Sequence, residues 1–301
     1  MKFLIIGSEG FIGKYCVNHF MSLNHEVHGI DVCDISGPNY HYLKKTSETD
    51  FYVSLLTIEF DVVINCAGNS NVPISFNNPV FDFELNSYET IKILNAIKNC
   101  SKPTKYLHLS SAAVYGNPQA IPIMENSRLS PVSPYGYHKM IAEHICMEFV
   151  TNFNCNVSIV RPFSVYGPGL KKQMFWDWYL KIISKSNHLE LMGTGNESRD
   201  YIFIIDLVRA IELIIDKGSF AGEVYNIASG SETFIKDMAE LFFSFPEHKY
   251  EYRFNNFLRE GDPINWKADI SKLRALGFDL HYSLDAGISE LQNWLQSSDI
   301  K

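Results

Sequence analysis

Through the first half of the chain, short apolar runs alternate with longer segments whose apolar residues recur at helical spacing. Lys2–Ile6 has a strand's length, and Phe11, Ile12, Tyr15, Cys16, His19 and Phe20 mark one face of a helix over Phe11–Ser22. Glu26–Ile30 and Asp61–Asn65 predict two more strands, and Val80–Cys100 a long amphipathic helix. Tyr106–Leu109 reads as a strand, Tyr135–Asn152 as a helix and Val157–Arg161 as a strand. Strands separated by helices need right-handed crossovers, which place helices on both faces of a parallel sheet. The pattern predicts a doubly wound α/β sheet, and it is weakest over residues 39–58.

After about Pro162 the alternation loosens. Aromatic-rich ("QMFWDWYL") and Gly-rich ("GTGNES") stretches appear, with helices expected near Asp206–Asp216, Thr233–Phe243 and Leu284–Leu295. This divides the chain into a larger α/β domain over residues 1–162 and a smaller C-terminal α/β lobe over residues 163–301. Some chain crosses between the two.

Composition narrows the partners. The 301 residues are 46% hydrophobic and 20% charged, an ordinary globular balance. A net charge of -8 argues against a nucleic-acid backbone as partner. The six cysteines show no CxxC or other metal-ligand spacing, so they read as free thiols and no metal is expected. No run approaches the ~20 apolar residues of a membrane helix. A cytoplasmic protein without membrane contact is expected.

"GSEGFIG" sets Gly7, Gly10 and Gly13 between the first strand and the first helix. Glycines there permit a tight turn and let backbone N–H groups approach a pyrophosphate at the helix N-terminus. Asp31 follows 18 residues after Gly13, at the end of the second strand. A carboxylate at that place accepts from the ribose hydroxyls of NAD and repels the 2′-phosphate of NADP.

Tyr135 and Lys139, in "YGYHK", stand four apart on a predicted helix and so share a face. A lysine charge beside the phenol is expected to lower its pKa toward a working base. Ser111, 24 residues earlier in "SSAAVYG", ends a parallel strand on the side where such sheets bind ligands. Its hydroxyl can reach the same substrate oxygen, whereas Ser110 serves the strand's end.

With these motifs in place the chain resembles the NAD-dependent nucleotide-sugar epimerase/dehydratase family, the extended short-chain dehydrogenases/reductases. The similar segments are "GSEGFIG", "VVINCAG", "SFNNP" with "ELNSYET", "SSAAVYG", "SPYGYHK", "RPFSVYGPG", "GTGNESRDYIFIIDLVRA", "YNIASG" and "REGDPINWKADISKLRALGF", in the family's order and across nearly the whole chain. The resemblance implies a Rossmann-type fold that binds NAD along Gly7, Gly10, Phe11, Ile12, Gly13, Asp31 and Ala67. It implies Ser111, Tyr135 and Lys139 as the catalytic set, with Tyr135 as acid/base and Lys139 also on the nicotinamide ribose. Asn86 matches an active-site asparagine. Arg199 and Arg259 match arginines that grip a sugar nucleotide's diphosphate, a task suited to a planar cationic fork. Ser164 stands where many members carry asparagine, and its shorter side chain offers a single donor. A homodimer is implied too, through helices Val80–Cys100 and Tyr135–Asn152.

Family dehydratases place acidic residues directly after the catalytic hydroxyl. Here those positions are Ala112 and Ala113, which transfer no protons. The stretch is closest to members resembling UDP-glucose 4-epimerase. The expected activity is therefore 4-epimerisation of a nucleoside-diphosphate sugar, by transient oxidation and re-reduction on the other face. The alternatives are a nucleotide-4-keto-6-deoxysugar reductase and a non-catalytic NAD-binding protein.

Overall fold

Seven parallel strands form one sheet, in the order Ala221–Ile227, Asn156–Pro162, Lys105–Leu109, Val62–Asn65, Lys2–Ile6, Glu26–Asp31 and His41–Lys44. The coordinates are a computed structural model that describes residues 1–45, 52, 58–184, 188–244 and 250–297. Strand Lys2–Ile6 pairs with Glu26–Asp31 on one side and Val62–Asn65 on the other. The chain thus winds outward in both directions from its first strand. A crevice opens beyond the carboxyl ends of the strands at such a reversal point.

Why these residues make this sheet is visible in where alternate side chains go. Phe3 and Ile5 join one core cluster with Phe20, Val62, Ile64 and Leu107, while Leu4 and Ile6 join another with Val63, Tyr106, Leu94 and Phe149. Period-2 alternation therefore feeds two apolar layers, as a parallel sheet covered on both faces requires. Helix Phe11–Ser22 packs on one face beside Ile204–Lys217. Helices Glu89–Ile97 and Pro134–Phe153 cover the other.

Every predicted strand and helix of the first half is present, with ends that differ by a few residues. The largest difference lies in Val80–Cys100. That segment is a short helix Pro79–Phe83, a π turn Glu84–Tyr88 and a helix Glu89–Ile97. Asn78 starts it by accepting from Phe81 N–H at 3.2 Å. Helix Pro134–Phe153 begins where Ser133 accepts from Gly136 N–H at 3.2 Å, and it ends at left-handed Asn154. In the weak stretch, His41–Lys44 is an edge strand; residues 46–51 and 53–57 lie outside the described residues.

The second half contributes to the first. Strand Ala221–Ile227 lies beside Asn156–Pro162 and completes the sheet. A third apolar cluster, with Ala112, Tyr115, Ile123, Phe163, Trp266 and Ala268, joins the loop after Lys105–Leu109 to the C-terminal lobe. The carboxyl edge of the sheet is thereby roofed by residues distant in sequence. No described helix is long and apolar enough to cross a membrane.

Candidate active site

The glycine loop is held by close backbone approach. Gly7 has φ +80°, and its N–H donates to Ile30 O at 2.8 Å. A Cβ on Gly7 would stand 2.8 Å from Ala67 N, so the loop touches the end of the neighbouring strand. Gly10 precedes helix Phe11–Ser22 and gives it no side-chain cap. The N–H groups at Phe11, Ile12 and Gly13 thus begin a helix whose positive end faces the crevice, a natural seat for a diphosphate. The Asp31 carboxylate accepts from Glu9 N–H at 2.9 Å and from Val32 N–H at 2.7 Å. These bonds fix an acceptor beside the loop, as dinucleotide ribose recognition needs. The residues fit NAD.

On the other side of the crevice, Ser111 begins the turn Ala112–Tyr115 and accepts from Ala113 N–H at 3.1 Å. Tyr135 and Lys139 lie buried on the first turns of helix Pro134–Phe153. Lys139 is 5% exposed and its Nζ donates to Leu109 O at 2.9 Å. Burial pulls the ammonium down to about 8, against the opposing charges of Asp82 and Glu143. The phenol behaves otherwise than the sequence suggests. Burial pushes Tyr135 up to about 12, the Ser111 hydroxyl lowers it and Asp82 raises it. Desolvation outweighs any help from Lys139, whose donor is engaged by a carbonyl.

Asn86 sits within the π turn, a helix irregularity common at functional sites. It is 1% exposed; its Nδ2 donates to Asp82 Oδ1 at 3.1 Å, and its Oδ1 has no hydrogen-bond partner. A Cβ on Gly68 would meet Asn86 Oδ1 at 2.5 Å and Lys139 Nζ at 3.3 Å. Both polar atoms therefore flank one spot at the end of strand Val62–Asn65. A buried orphan acceptor there suits a polar ligand or bridging water.

The arginines come together in the C-terminal lobe. Half-buried Arg199 donates from Nη1 to Ser198 O at 2.8 Å and Ile264 O at 3.1 Å, with its guanidinium 5.8 Å over the Trp266 ring. Burial lowers its pKa. Asp262 feels both Arg199 and exposed Arg259, although burial still raises its pKa. Two cations around one carboxylate leave positive charge for an anionic ligand. Ser164 lies nearby in strand Ser164–Tyr166, donating its N–H to Asp200 O at 3.0 Å.

Two acidic residues escaped the sequence reading. Asp82 is fully buried and accepts from Asn69 Nδ2 at 2.6 Å, Asn86 Nδ2 at 3.1 Å and His138 Nδ1 at 2.5 Å. Its spacing of four from Asn86 places both on one helix face, a signal the sequence carries. Asp262, between the two arginines, left no such signal.

Comparison with known proteins agrees with this geometry. The family model described as NAD dependent epimerase/dehydratase family matches residues 3–228. The uncharacterized UDP-glucose epimerase YtcB of Bacillus subtilis is 30% identical, covering 99% of this chain and 98% of its own. The GDP-6-deoxy-D-mannose reductase of Pseudomonas aeruginosa is 29% identical over 80% of this chain and 78% of its own. Among solved structures, the UDP-glucuronic acid 4-epimerase of Bacillus cereus, in complex with UDP-glucuronic acid and NAD, superposes with a TM-score of 0.89. It is 26% identical, covering 98% of this chain and 99% of that one.

Proposed function

This chain belongs to the NAD dependent epimerase/dehydratase family, and we propose that it is an NAD-dependent 4-epimerase of a nucleoside-diphosphate sugar. The observation that carries this reading is the set of residues that follows and faces Ser111 at the crevice. Ala112 and Ala113 follow Ser111 where elimination chemistry would need acids, while the Tyr135 phenol feels the Ser111 hydroxyl and shares a helix face with Lys139. Oxidation and re-reduction at one carbon require only such a group.

Bound NAD supplies the hydride acceptor and donor in this scheme. Gly7, Gly10, Phe11, Ile12, Gly13, Ala67 and Asp31 hold the dinucleotide, with the Lys139 ammonium on the nicotinamide ribose. Ser111 orients the sugar 4-hydroxyl, and Tyr135 takes its proton and later returns it. Arg199 and Arg259 hold the diphosphate while the sugar ring turns; Asn86 and Ser164 line the sugar's side. In this division residues 1–162 hold the cofactor and residues 163–301 the sugar nucleotide.

Exposed apolar side chains support a homodimer through the two helical segments: Val80, Phe81 and Tyr88 on one, Tyr137 and Met147 on the other. Free thiols at all six cysteines suit a reducing cytoplasm. Mass spectrometry of ligands that co-purify with the protein, followed by turnover of UDP-glucose and UDP-glucuronic acid without added cofactor, tests the reading. Interconversion of 4-epimers supports it. The second reading, a 4-keto-sugar reductase, is favoured by the likeness to the Pseudomonas reductase. It would show stoichiometric oxidation of NADH or NADPH instead.

A further inference from the structure

Behind the Tyr135–Lys139 pair lies a buried carboxylate that the scheme above does not use. Asp82 lies on the short helix Pro79–Phe83 and is fully buried. Its Oδ1 accepts from Asn69 and Asn86, and its Oδ2 accepts from His138 Nδ1 at 2.5 Å. His138 is itself pinned: its carbonyl accepts from Ser87 Oγ at 2.8 Å, and its ring meets Phe83 edge-on.

A carboxylate can only accept. Asn86 must therefore turn its NH2 toward Asp82, which leaves its oxygen pointing to the spot over Gly68 that Lys139 Nζ also faces. A neutral group at residue 82 would let the amide flip. The same carboxylate acts at longer range, because a negative charge in a poorly hydrated site is weakly screened.

We propose that Asp82, anchored by His138, is a positioning residue of this site: it locks the Asn86 oxygen toward Lys139 and projects a negative charge onto the Tyr135 phenol. The charge works on both titrating groups in one direction. It raises Tyr135 and also raises Lys139, so it holds the proton on each. Other groups share this field. Lys139 also faces Cys66, Glu143 and Cys146, and buried His108 is lowered first by its own burial and then by the Lys139 charge. Glu143 is tied to Arg161 by two hydrogen bonds, which offsets much of its charge. Asp82 is thus the strongest of the charges that raise Lys139, and the one charge among the named causes acting on Tyr135.

The effect on turnover rests on the reading of Tyr135 as the acid/base, whereas the titration of its phenol does not. The test therefore has two arms, both on NAD-loaded protein. In the first, an ultraviolet titration of phenolate is compared with that of the same protein carrying Tyr135→Phe, which isolates Tyr135. Asp82→Asn, neutral and of the same shape, is expected to move the Tyr135 midpoint down by roughly half a pH unit or more. Asp82→Glu, which keeps the charge, is expected to leave it near the parent value. If the amide variant does not fold, Asp82→Ser is the neutral substitute.

In the second arm, the acid limb of the turnover–pH profile is expected to move down with Asp82→Asn and to stay in place with Asp82→Glu. An unmoved phenolate midpoint in a folded neutral variant overturns the proposal. So does an equal shift in Asp82→Glu, which would mark a purely steric role. Absence of turnover in the parent protein would count against the epimerase reading and leave the first arm intact.

Discussion

A Cβ added to Gly13 would stand 1.9 Å from the carbonyl oxygen of Gly7. That distance is far inside van der Waals contact, and the obstacle is backbone, so the first helix could no longer seat against the strand that precedes it. Gly13→Ala is expected to destabilise the fold by about 1–3 kcal/mol, the usual range for overpacking. It should also weaken NAD binding more than tenfold, because the N–H groups of the first turn move with the loop. Urea unfolding and titration of the cofactor check both.

Tyr135 carries the proposed proton transfer; it is buried, and the Ser111 hydroxyl lowers its pKa against the larger effect of burial. Tyr135→Phe keeps the ring and removes the oxygen. Turnover is expected to fall by roughly 10²–10⁴, the span of a general acid–base contribution. Stability should stay within about 1.5 kcal/mol, the net value of one hydrogen bond. Turnover measured beside a thermal melt separates the two; full activity in the variant would remove Tyr135 from the mechanism.

The parallel sheet was legible because its strands are buried on both faces and read as apolar runs such as "DVVIN", bounded by helices with clear periodicity. The glycine loop and the Tyr135–Lys139 spacing were legible because backbone approach and a shared helix face are local properties. The seventh strand, Ala221–Ile227, was not assigned, since its place beside Asn156–Pro162 is fixed by a crossover of some sixty residues. Nor was the π turn at Glu84–Tyr88, because its i→i+5 hydrogen bonds leave no residue-type signature within an otherwise helical segment. The acidity of Tyr135 was misjudged for a physical reason: spacing places charges, but burial decides how costly an ionised phenol is, and burial here depends on residues from several elements.

Lys139 links the site to stability. Burial holds its folded-state pKa near 8, below its ordinary value of 10.5. Above pH 8 the native lysine gives up its proton while the unfolded one still holds it, so the unfolded state binds more protons. Stability then rises with pH through the window from about 8 to 10.5. The contribution is on the order of 3 kcal/mol for a shift of this size. Lys139→Met is expected to flatten that slope and to raise stability at neutral pH, while abolishing the proposed ribose contact. Urea unfolding of the cofactor-free chain at pH 7 and pH 9.5 checks it, and a parallel slope in both proteins would refute it.

Ser110 and Ser111 are neighbours with opposite tasks. Ser110 Oγ donates to Glu143 Oε1 at 2.5 Å, and Glu143 in turn takes two hydrogen bonds from buried Arg161, at 2.9 and 2.6 Å. Arg161 Nη1 continues to the Tyr115 hydroxyl at 2.7 Å. This network ties helix Pro134–Phe153 to strand Asn156–Pro162 beneath the site. Ser110→Ala leaves a buried carboxylate oxygen short of a donor and is expected to lower stability by about 1–3 kcal/mol, with turnover per folded molecule near that of the parent. Ser111→Ala loses only the cap on Ala113, about 1 kcal/mol, but removes the hydroxyl that lowers the Tyr135 phenol, so its loss should appear in turnover. Glu143→Ala strands the Arg161 cation in the core and should cost about 3–5 kcal/mol. Unfolding and turnover measured on all three variants decide the matter, and a Ser110→Ala protein that is stable but inactive would reverse the assignment of the two serines.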